Sequence, residues 1–275
     1  MKNPKLSIVT TSFNQGHFIE QTIKSVVSQT YRPIEFIVVD NCSSDQTHSV
    51  LDKYSQQINI LLIENDNGPA NALNKGFARA TGDYFSFINS DDVYDAGFAE
   101  TAISRIDALG ADLVYSDIRF IDENSTIIKP YKFPLAYALP VSPRKLLARA
   151  CVLPQQGSLW TRRIHDAGVT FNEINMTCWD LEFYVDALCA GFVFQPIHEC
   201  LASFRLHNQS ITGESLFSPS GSINSRSIRR AADHARINQK LMSYGVKCGK
   251  LNVASLRMQN HLLKASRQLV SFLSL

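Results

Sequence analysis

Two carboxylates side by side, Asp91-Asp92, follow the apolar run 84–88. Adjacent exposed carboxylates suit a hard divalent cation that also takes phosphate oxygens. The competing role is a helix N-cap, with the helix starting near Asp95. A third carboxylate, Asp40, ends the apolar run 34–39 and precedes Asn41-Cys42-Ser43-Ser44-Asp45. There it can accept hydrogen bonds from a base or a ribose, while Ser44 and Asp45 suit the start of the next helix. Gln155, Gln156 and Trp160 read as a platform for a sugar, because amides and an aromatic face suit a sugar ring. The alternative for Trp160 is simply the core. No Gly-x-Gly-x-x-Gly follows the first apolar run and no Gly-x-x-x-x-Gly-Lys-Ser/Thr occurs, so dinucleotide and P-loop chemistry lack their fingerprints.

The elements that must position these residues alternate over the first ninety positions. Strands are expected at 6–10, 34–39, 59–63 and 84–88. Helices are expected near 18–27, from 45, and over 70–80, the last stopped by Gly82. Strands apolar on both faces and separated by helices imply a parallel sheet covered on both sides. Ligands of such sheets sit beyond the carboxyl ends of the strands. Here those ends carry Thr11-Ser12-Phe13-Asn14, Asp40-Asn41 and Asn89-Ser90-Asp91-Asp92. Further on, the pattern predicts a strand at 113–116, a hairpin around 122–124 and a Pro-rich connector (Pro130, Pro134, Pro140, Pro143). A helix is expected after Trp179-Asp180, then strands near 192–197 and 200–205. The Ser/Gly/Pro-rich stretch 214–225 reads as a linker before two basic helices.

The whole chain has 275 residues, 45% hydrophobic and 19% charged, an ordinary globular composition that excludes wholesale disorder. Its longest uncharged apolar runs, near 133–141 and 187–194, fall short of the roughly 18 residues a spanning helix needs. The N-terminal apolar patch is too short for a signal peptide, so a cytosolic chain is expected. Six cysteines without a Cys-x-x-Cys pair point to reduced thiols rather than zinc or a disulfide scaffold. The net charge of +2 hides an asymmetry: residues 1–225 carry 17 Lys+Arg against 24 Asp+Glu, residues 226–275 carry 10 against 1. A basic tail on an acidic body points to a polyanionic partner. Lys250, Arg257 and Lys264 recur at seven-residue steps beside Leu256, Leu263 and Val270, as in an amphipathic helix lying on anionic lipid. The alternative is a helix packed on the body or on a second copy of the chain, making a homo-oligomer.

Five blocks, in order, resemble inverting nucleotide-sugar glycosyltransferases of family 2. They are SIVTTSFNQGHFIEQTIKSVVSQTYRPIEFIVVDNCSSDQT (7–47), NDNGPANALNKGFARATGDYFSFINSDDVY (65–94), VLPQQGSLWTRR (152–163), CWDLEFYVDALCAGF (178–192) and FRLHNQSIT (204–212). The resemblance implies an α/β GT-A fold, a mostly parallel Rossmann-like sheet with flanking helices, here followed by a C-terminal helical tail. It divides the chain into a nucleotide-sugar-binding half (1–117), an acceptor-binding and catalytic half of the same domain (118–213), and a linker with a basic tail (214–275).

The same resemblance assigns roles. Thr11, Phe13 and Asp40 line the nucleotide pocket, with Asp40 on the base, and Asn74 and Lys75 lie near the donor. Asn89-Ser90-Asp91 takes the place of the family's Asp-x-Asp, with Asp91 a metal ligand and His207 a ligand or diphosphate contact. Two departures stand out: Asn89 replaces the first Asp, and Asn41-Cys42 replaces an Asp-Gly. Asp180 matches the catalytic base that takes a proton from the attacking sugar hydroxyl. Capping of helix 181–190 is its other reading, and Glu182 is the rival base. The implied cofactor is Mn or Mg, offsetting charge on the departing nucleoside diphosphate, and the implied co-substrate is a nucleoside-diphosphate sugar, a UDP-sugar. The expected acceptor is a glycan or lipid-linked sugar of a bacterial surface polysaccharide, met at the inner face of the cytoplasmic membrane. Two rivals remain: a donor-binding pseudoenzyme, suggested by Asn89, and a nucleic-acid-binding protein acting through the tail. Nucleic acid is not the expected partner, because without a metal the acidic strand ends repel phosphates.

Overall fold

The computed structural model describes residues 4–131, 153–208, 210 and 225–245. The expected prolines 134, 140 and 143, nearly all of the 214–225 linker, the second basic helix and the Lys250/Arg257/Lys264 stripe lie outside the described residues.

Four βα units open the chain: β1 (Leu6–Ser12), α1 (Ile19–Val27), β2 (Ile34–Asp40), α2 (Thr47–Lys53), β3 (Ile60–Ile63), α3 (Pro69–Phe77), β4 (Tyr84–Phe87) and, after the short β5 (Val93–Tyr94), α4 (Phe98–Leu109). Strands β3, β2, β1 and β4 lie side by side and parallel. Alternation along β1 and β2 sends Leu6, Ile8, Phe36 and Val38 to one face, against α1 and α4. Val9, Ile37 and Val39 go to the other face, against α3. Both faces are covered, as apolar-on-both-sides strands require.

The remaining strands are β6 (Leu113–Ile121), β7 (Ile127–Tyr131), β8 (Ser158–Thr161) and β9 (Phe194–Arg205). They extend the sheet in the order β3-β2-β1-β4-β8-β6-β9-β5, with β7 a hairpin partner of β6. Here the sheet is mixed: β8 is antiparallel to β4 and β6, β9 is parallel to β6, and β5 is antiparallel to β9. The hairpin forms where Asp122 was expected to turn, its Oδ1 accepting from the N–H groups of Asn124 (2.9 Å) and Thr126 (2.8 Å). The two strands expected at 192–197 and 200–205 are one, β9, whose register slips against Ser116-Asp117-Ile118.

Two expected punctuation marks have other roles. Helix α3 ends at Phe77, and Gly82 is not its stop signal. It lies where a Cβ would sit 2.6 Å from Ser7 Oγ, so glycine lets two backbones close up. Helix α4 starts after Gly97 rather than near Asp95. Asp95 instead forms a two-pronged ion pair with Arg119, at 2.6 and 3.1 Å.

Three helices complete the described chain: the short α5 (Arg163–Asp166), α6 (Trp179–Cys189) and α7 (Ser225–Ser243). Helix α7, the first basic helix of the tail, packs on α6. Ile237 and Leu241 are each 1% exposed within the same core as Trp160 and Phe183. Burying each is worth roughly 1.5–3 kcal/mol.

Candidate active site

The loops after β1 and β2 lock to each other. Asn14 N donates to Ser43 Oγ (2.8 Å) and Ser44 N to Asn14 Oδ1 (2.9 Å). Asn14 and Cys42 both adopt left-handed backbone, at φ 52° and 49°. Gln46 rather than Ser44 or Asp45 holds the N-cap position of α2, and Asp45 accepts from Thr47 N (2.9 Å) and from Gly16 N (2.9 Å), stitching the two loops. Strand pairing sets Ser12 beside Asp40 and Val9 beside Phe87, so 11–13, 40–41 and 89–92 share one edge. On that edge Thr11 is half-buried and Phe13 is exposed. Asp40 is fully buried, with Oδ1 accepting from Ser43 Oγ (2.6 Å) and Oδ2 from Ser43 N (2.8 Å). His48 Nε2 lies 2.9 Å from Oδ2. In this arrangement Asp40 braces the loop that follows β2 rather than presenting a free carboxylate.

The Asp91-Asp92 pair, expected to be exposed together, is split. Asp92 is fully buried and is the scaffold member. Its Oδ1 accepts from Arg205 N (2.9 Å) and its Oδ2 from Gln156 Nε2 (2.9 Å). Burial, helped by the negative charge of Asp91, pushes its carboxyl well above the ordinary range. Asp91 keeps a partly exposed side chain whose Oδ2 lies 3.0 Å from His207 Nε2. Asn89 turns its amide toward Gln155 Oε1 (3.2 Å) and Asp92 Oδ2 (3.4 Å).

Arg205, which sequence reasoning passed over, holds this corner. It is fully buried. Nε donates to Asp91 O (2.8 Å), Nη1 to Asp122 O (2.9 Å) and Ser125 Oγ (3.1 Å), and Nη2 to Gln21 Oε1 (2.7 Å). Its only sequence signal was its position two residues before His207.

The residues present fit a divalent ion. A carboxylate oxygen and an imidazole nitrogen stand together, and His207 Nδ1 is buried without a partner. Among the described residues no three His, Cys, Asp or Glu side chains converge on one point, so an ion here would draw its other ligands from substrate and water.

The acceptor-side platform needs correction. Trp160 is fully buried, packed between Phe77, Phe87 and Phe183, and has no face to offer a sugar. Gln155 and Gln156 are buried too, and their amides serve Phe87 O (2.7 Å), Asn89 and Asp92. They set the acidic corner from behind. Asn74 and Lys75 are also braces. Asn74 exchanges hydrogen bonds with the Phe171 backbone (2.8 and 3.0 Å) and donates to Glu173. Lys75 Nζ donates to Asn65 O (2.6 Å) and pairs with Glu64 (3.2 Å).

Helix α6 separates its two carboxylates. Asp180 lies in the first turn, its Oδ1 accepting from Leu181 N (2.8 Å), and burial pushes its carboxyl above the ordinary range. Cys178, not Asp180, is the N-cap. Glu182, the rival base, is fully buried. It accepts from Asn172 (2.8 Å) and Asn175 (2.7 Å) and pairs with Arg236 (3.0 Å) and Lys240 (3.1 Å). Although burial opposes it, this set, led by Arg236, pulls Glu182 down to about 2. A carboxylate so held is a structural anion and a poor base. Tyr184 OH bonds Ser158 Oγ (2.9 Å), just after the Gln155–Gly157 turn. Asp180 lies one helical turn earlier on the same face of α6 as Tyr184.

Comparison with known proteins agrees with this geometry. The chain is 26% identical over 212 residues to the putative teichuronic acid biosynthesis glycosyltransferase TuaG of Bacillus subtilis, covering 76% of this chain and 82% of that protein. It is 34% identical over 125 residues to the UDP-Glc:alpha-D-GlcNAc-diphosphoundecaprenol beta-1,3-glucosyltransferase WfgD of Escherichia coli, covering 45% of this chain and 49% of that protein. The fold superposes on the mannosyltransferase PcManGT of Pyrobaculum calidifontis, solved with GDP-Man and Mn2+. The TM-score is 0.62 at 13% identity, over 98% of this chain and 84% of that one, so the architecture is GT-A. Residues 7–164 match the Glycosyl transferase family 2 model, and the chain belongs to that family.

Proposed function

We propose that the protein transfers a hexose from a nucleoside-diphosphate sugar, a UDP-sugar, to a glycan or lipid-linked acceptor during synthesis of a bacterial surface polysaccharide, inverting the anomeric centre. The observation that carries this reading is the sorting of carboxylates. Asp91 stands with His207 at the strand-end edge, and Asp180 carries a raised pKa with no cation bonded to it among the described residues, while Asp92 and Glu182 are withdrawn into the scaffold. The acceptor class is supported by the names of TuaG and WfgD, and the use of a metal by PcManGT with its Mn2+.

On this reading Thr11, Phe13 and the loop braced by Asp40 receive the nucleotide. Asp91 and His207 hold a divalent ion, which when bound offsets negative charge on the departing diphosphate. Asp180 accepts the proton of the acceptor hydroxyl as that oxygen bonds to the anomeric carbon and the glycosidic bond to the diphosphate breaks. Its raised pKa suits it to take that proton. A single displacement of this kind inverts the centre without a covalent intermediate. The basic residues of 246–275 (Lys247, Lys250, Arg257, Lys264 and Arg267) are left to hold the enzyme on an anionic membrane face. Among the described residues no helix is long and apolar enough to cross one.

The test is transfer from UDP-sugars to alkyl glycosides and glycosyl diphosphate lipids, with the product's anomeric configuration read by NMR. A β-linked product from an α-linked donor is expected. An α-linked product would overturn the inverting step.

A further inference from the structure

The stripe that seats α7 on the body consists of Asp233, His234, Ile237 and Leu241, and it continues one turn back to Arg230. Thr177 Oγ1 donates to Asp233 Oδ2 (2.6 Å), and His234 Nε2 lies 3.5 Å from Cys178 Sγ. This end of α7 therefore lies against the residues that lead into α6, and Arg230, one turn before Asp233 and His234, is on the side of α7 that faces them. Its positive charge acts on Asp180 and on Cys178. Yet it forms no ion pair with Asp180, and among the described residues it has no hydrogen-bond partner. The next two cations on the packed side of α7 differ: Arg236 and Lys240 are both committed to Glu182, with Lys240 also on Asp186. A direct pair would hold Asp180 acidic and spoil it as a base. Held close and without a partner among the described residues, the half-buried Arg230 has donors to offer a substrate anion.

We propose that Arg230 binds a phosphate group on the acceptor, so that the substrate presented to Asp180 is a phosphate-linked sugar rather than a neutral glycan end. The proposal rests on the reading of Asp180 as the base. A guanidinium matches two phosphate oxygens at once, and a phosphate on Arg230 sets a nearby hydroxyl of the same sugar within reach of Asp180. The donor diphosphate is a different anion, received at the Asp91–His207 corner, whereas Arg230 belongs to the α6–α7 side.

The experiment measures calorimetric binding of undecyl diphosphate to the full chain with UDP and Mn2+ saturating, so that the donor pocket is filled. Wild type is expected to bind it. Arg230→Gln should bind roughly 10- to 100-fold more weakly, the range of one charge-assisted bond, and Arg230→Lys should lie between. Affinity for UDP and for undecyl glucoside should stay unchanged. Arg230→Lys also keeps the test open if Arg230→Gln does not fold. UDP binding accompanied by equal undecyl diphosphate binding in wild type and variants, or by none in wild type, overturns the proposal alone. A parallel loss of UDP affinity places Arg230 on the donor and also overturns it. Absence of UDP binding to wild type overturns the transferase reading, and this proposal with it.

Discussion

His207 Nε2 meets Asp91 Oδ2 at 3.0 Å across 116 residues of chain. The contact follows from the sheet: β5 runs antiparallel to the end of β9, pairing Val93 with Ser203 and Tyr94 with Ala202. The turn before β5 and the residues after β9 are thereby forced together. Arg205 then ties the turn through the Asp91 carbonyl, and the Phe18 ring packs on both the His207 ring and the Arg205 guanidinium.

Asp91→Ala should abolish turnover and remove the Mn-dependent part of UDP binding while leaving the fold intact, since among the described residues the Asp91 side chain hydrogen-bonds only to His207. Thermal shifts with UDP, with and without Mn2+, provide the check, because a ligand of the native state raises its stability by mass action. A variant as active as wild type at limiting metal would refute the assignment.

Asp180→Asn should cost about 100-fold or more in kcat, the usual scale of general-base catalysis, with the UDP-induced thermal shift retained. The base works ionised, and burial raises its pKa above 3.8. Activity should therefore fall on the acid side with a midpoint higher than an ordinary aspartate would give. A pH–rate profile flat through that range would exclude Asp180. Glu182→Gln is the control that separates base from scaffold.

Glu182 should register in stability instead. Its pKa is lowered in the folded state, from 4.5 to about 2. Its contribution is therefore present above pH 4.5 and lost as pH falls toward 2. That shift corresponds to roughly 3 kcal/mol at neutral pH. Arg236→Ala, which leaves the buried carboxylate short of a partner, should cost about as much. Denaturant unfolding at pH 7 and pH 3 measures both: the gap between wild type and Glu182→Gln should narrow at the lower pH.

Truncation separates the two parts of the tail. A chain ending after Gly245 keeps α7 and loses all five cations of 246–275. It should fold normally but lose salt-sensitive binding to anionic vesicles, each engaged cation being worth about 1 kcal/mol at such a surface. A chain ending before Ser225 also loses Ile237, Leu241 and the Arg236 and Lys240 pairs. It should be markedly less stable. Equal co-sedimentation of the full chain and the chain ending at Gly245 would assign the basic stretch to protein contact.

The parallel sheet and its polar edge are legible in the sequence because their causes are local. Period-2 burial, helix periodicity and short turns act within a few residues, so β1 to β4 and the clustering of Thr11, Phe13, Asp40, Asn89 and Asp91 follow from the pattern itself. What two adjacent acids do is not local. Asp91 and Asp92 are identical in composition and one residue apart. Which is offered to a ligand depends on Arg205 and Gln156, which arrive from β9 and the turn before β8. Asp180 and Glu182 differ for the same reason: only packing of α7 brings Arg236 and Lys240 onto Glu182. Trp160, Asn74 and Lys75 carry side chains that suit sugars and phosphates, and the tertiary structure spends them on the core and on loop bracing. A residue type states which interactions are available. Burial and the long-range partners that satisfy a charge decide which one is made, and those are properties of the assembled fold.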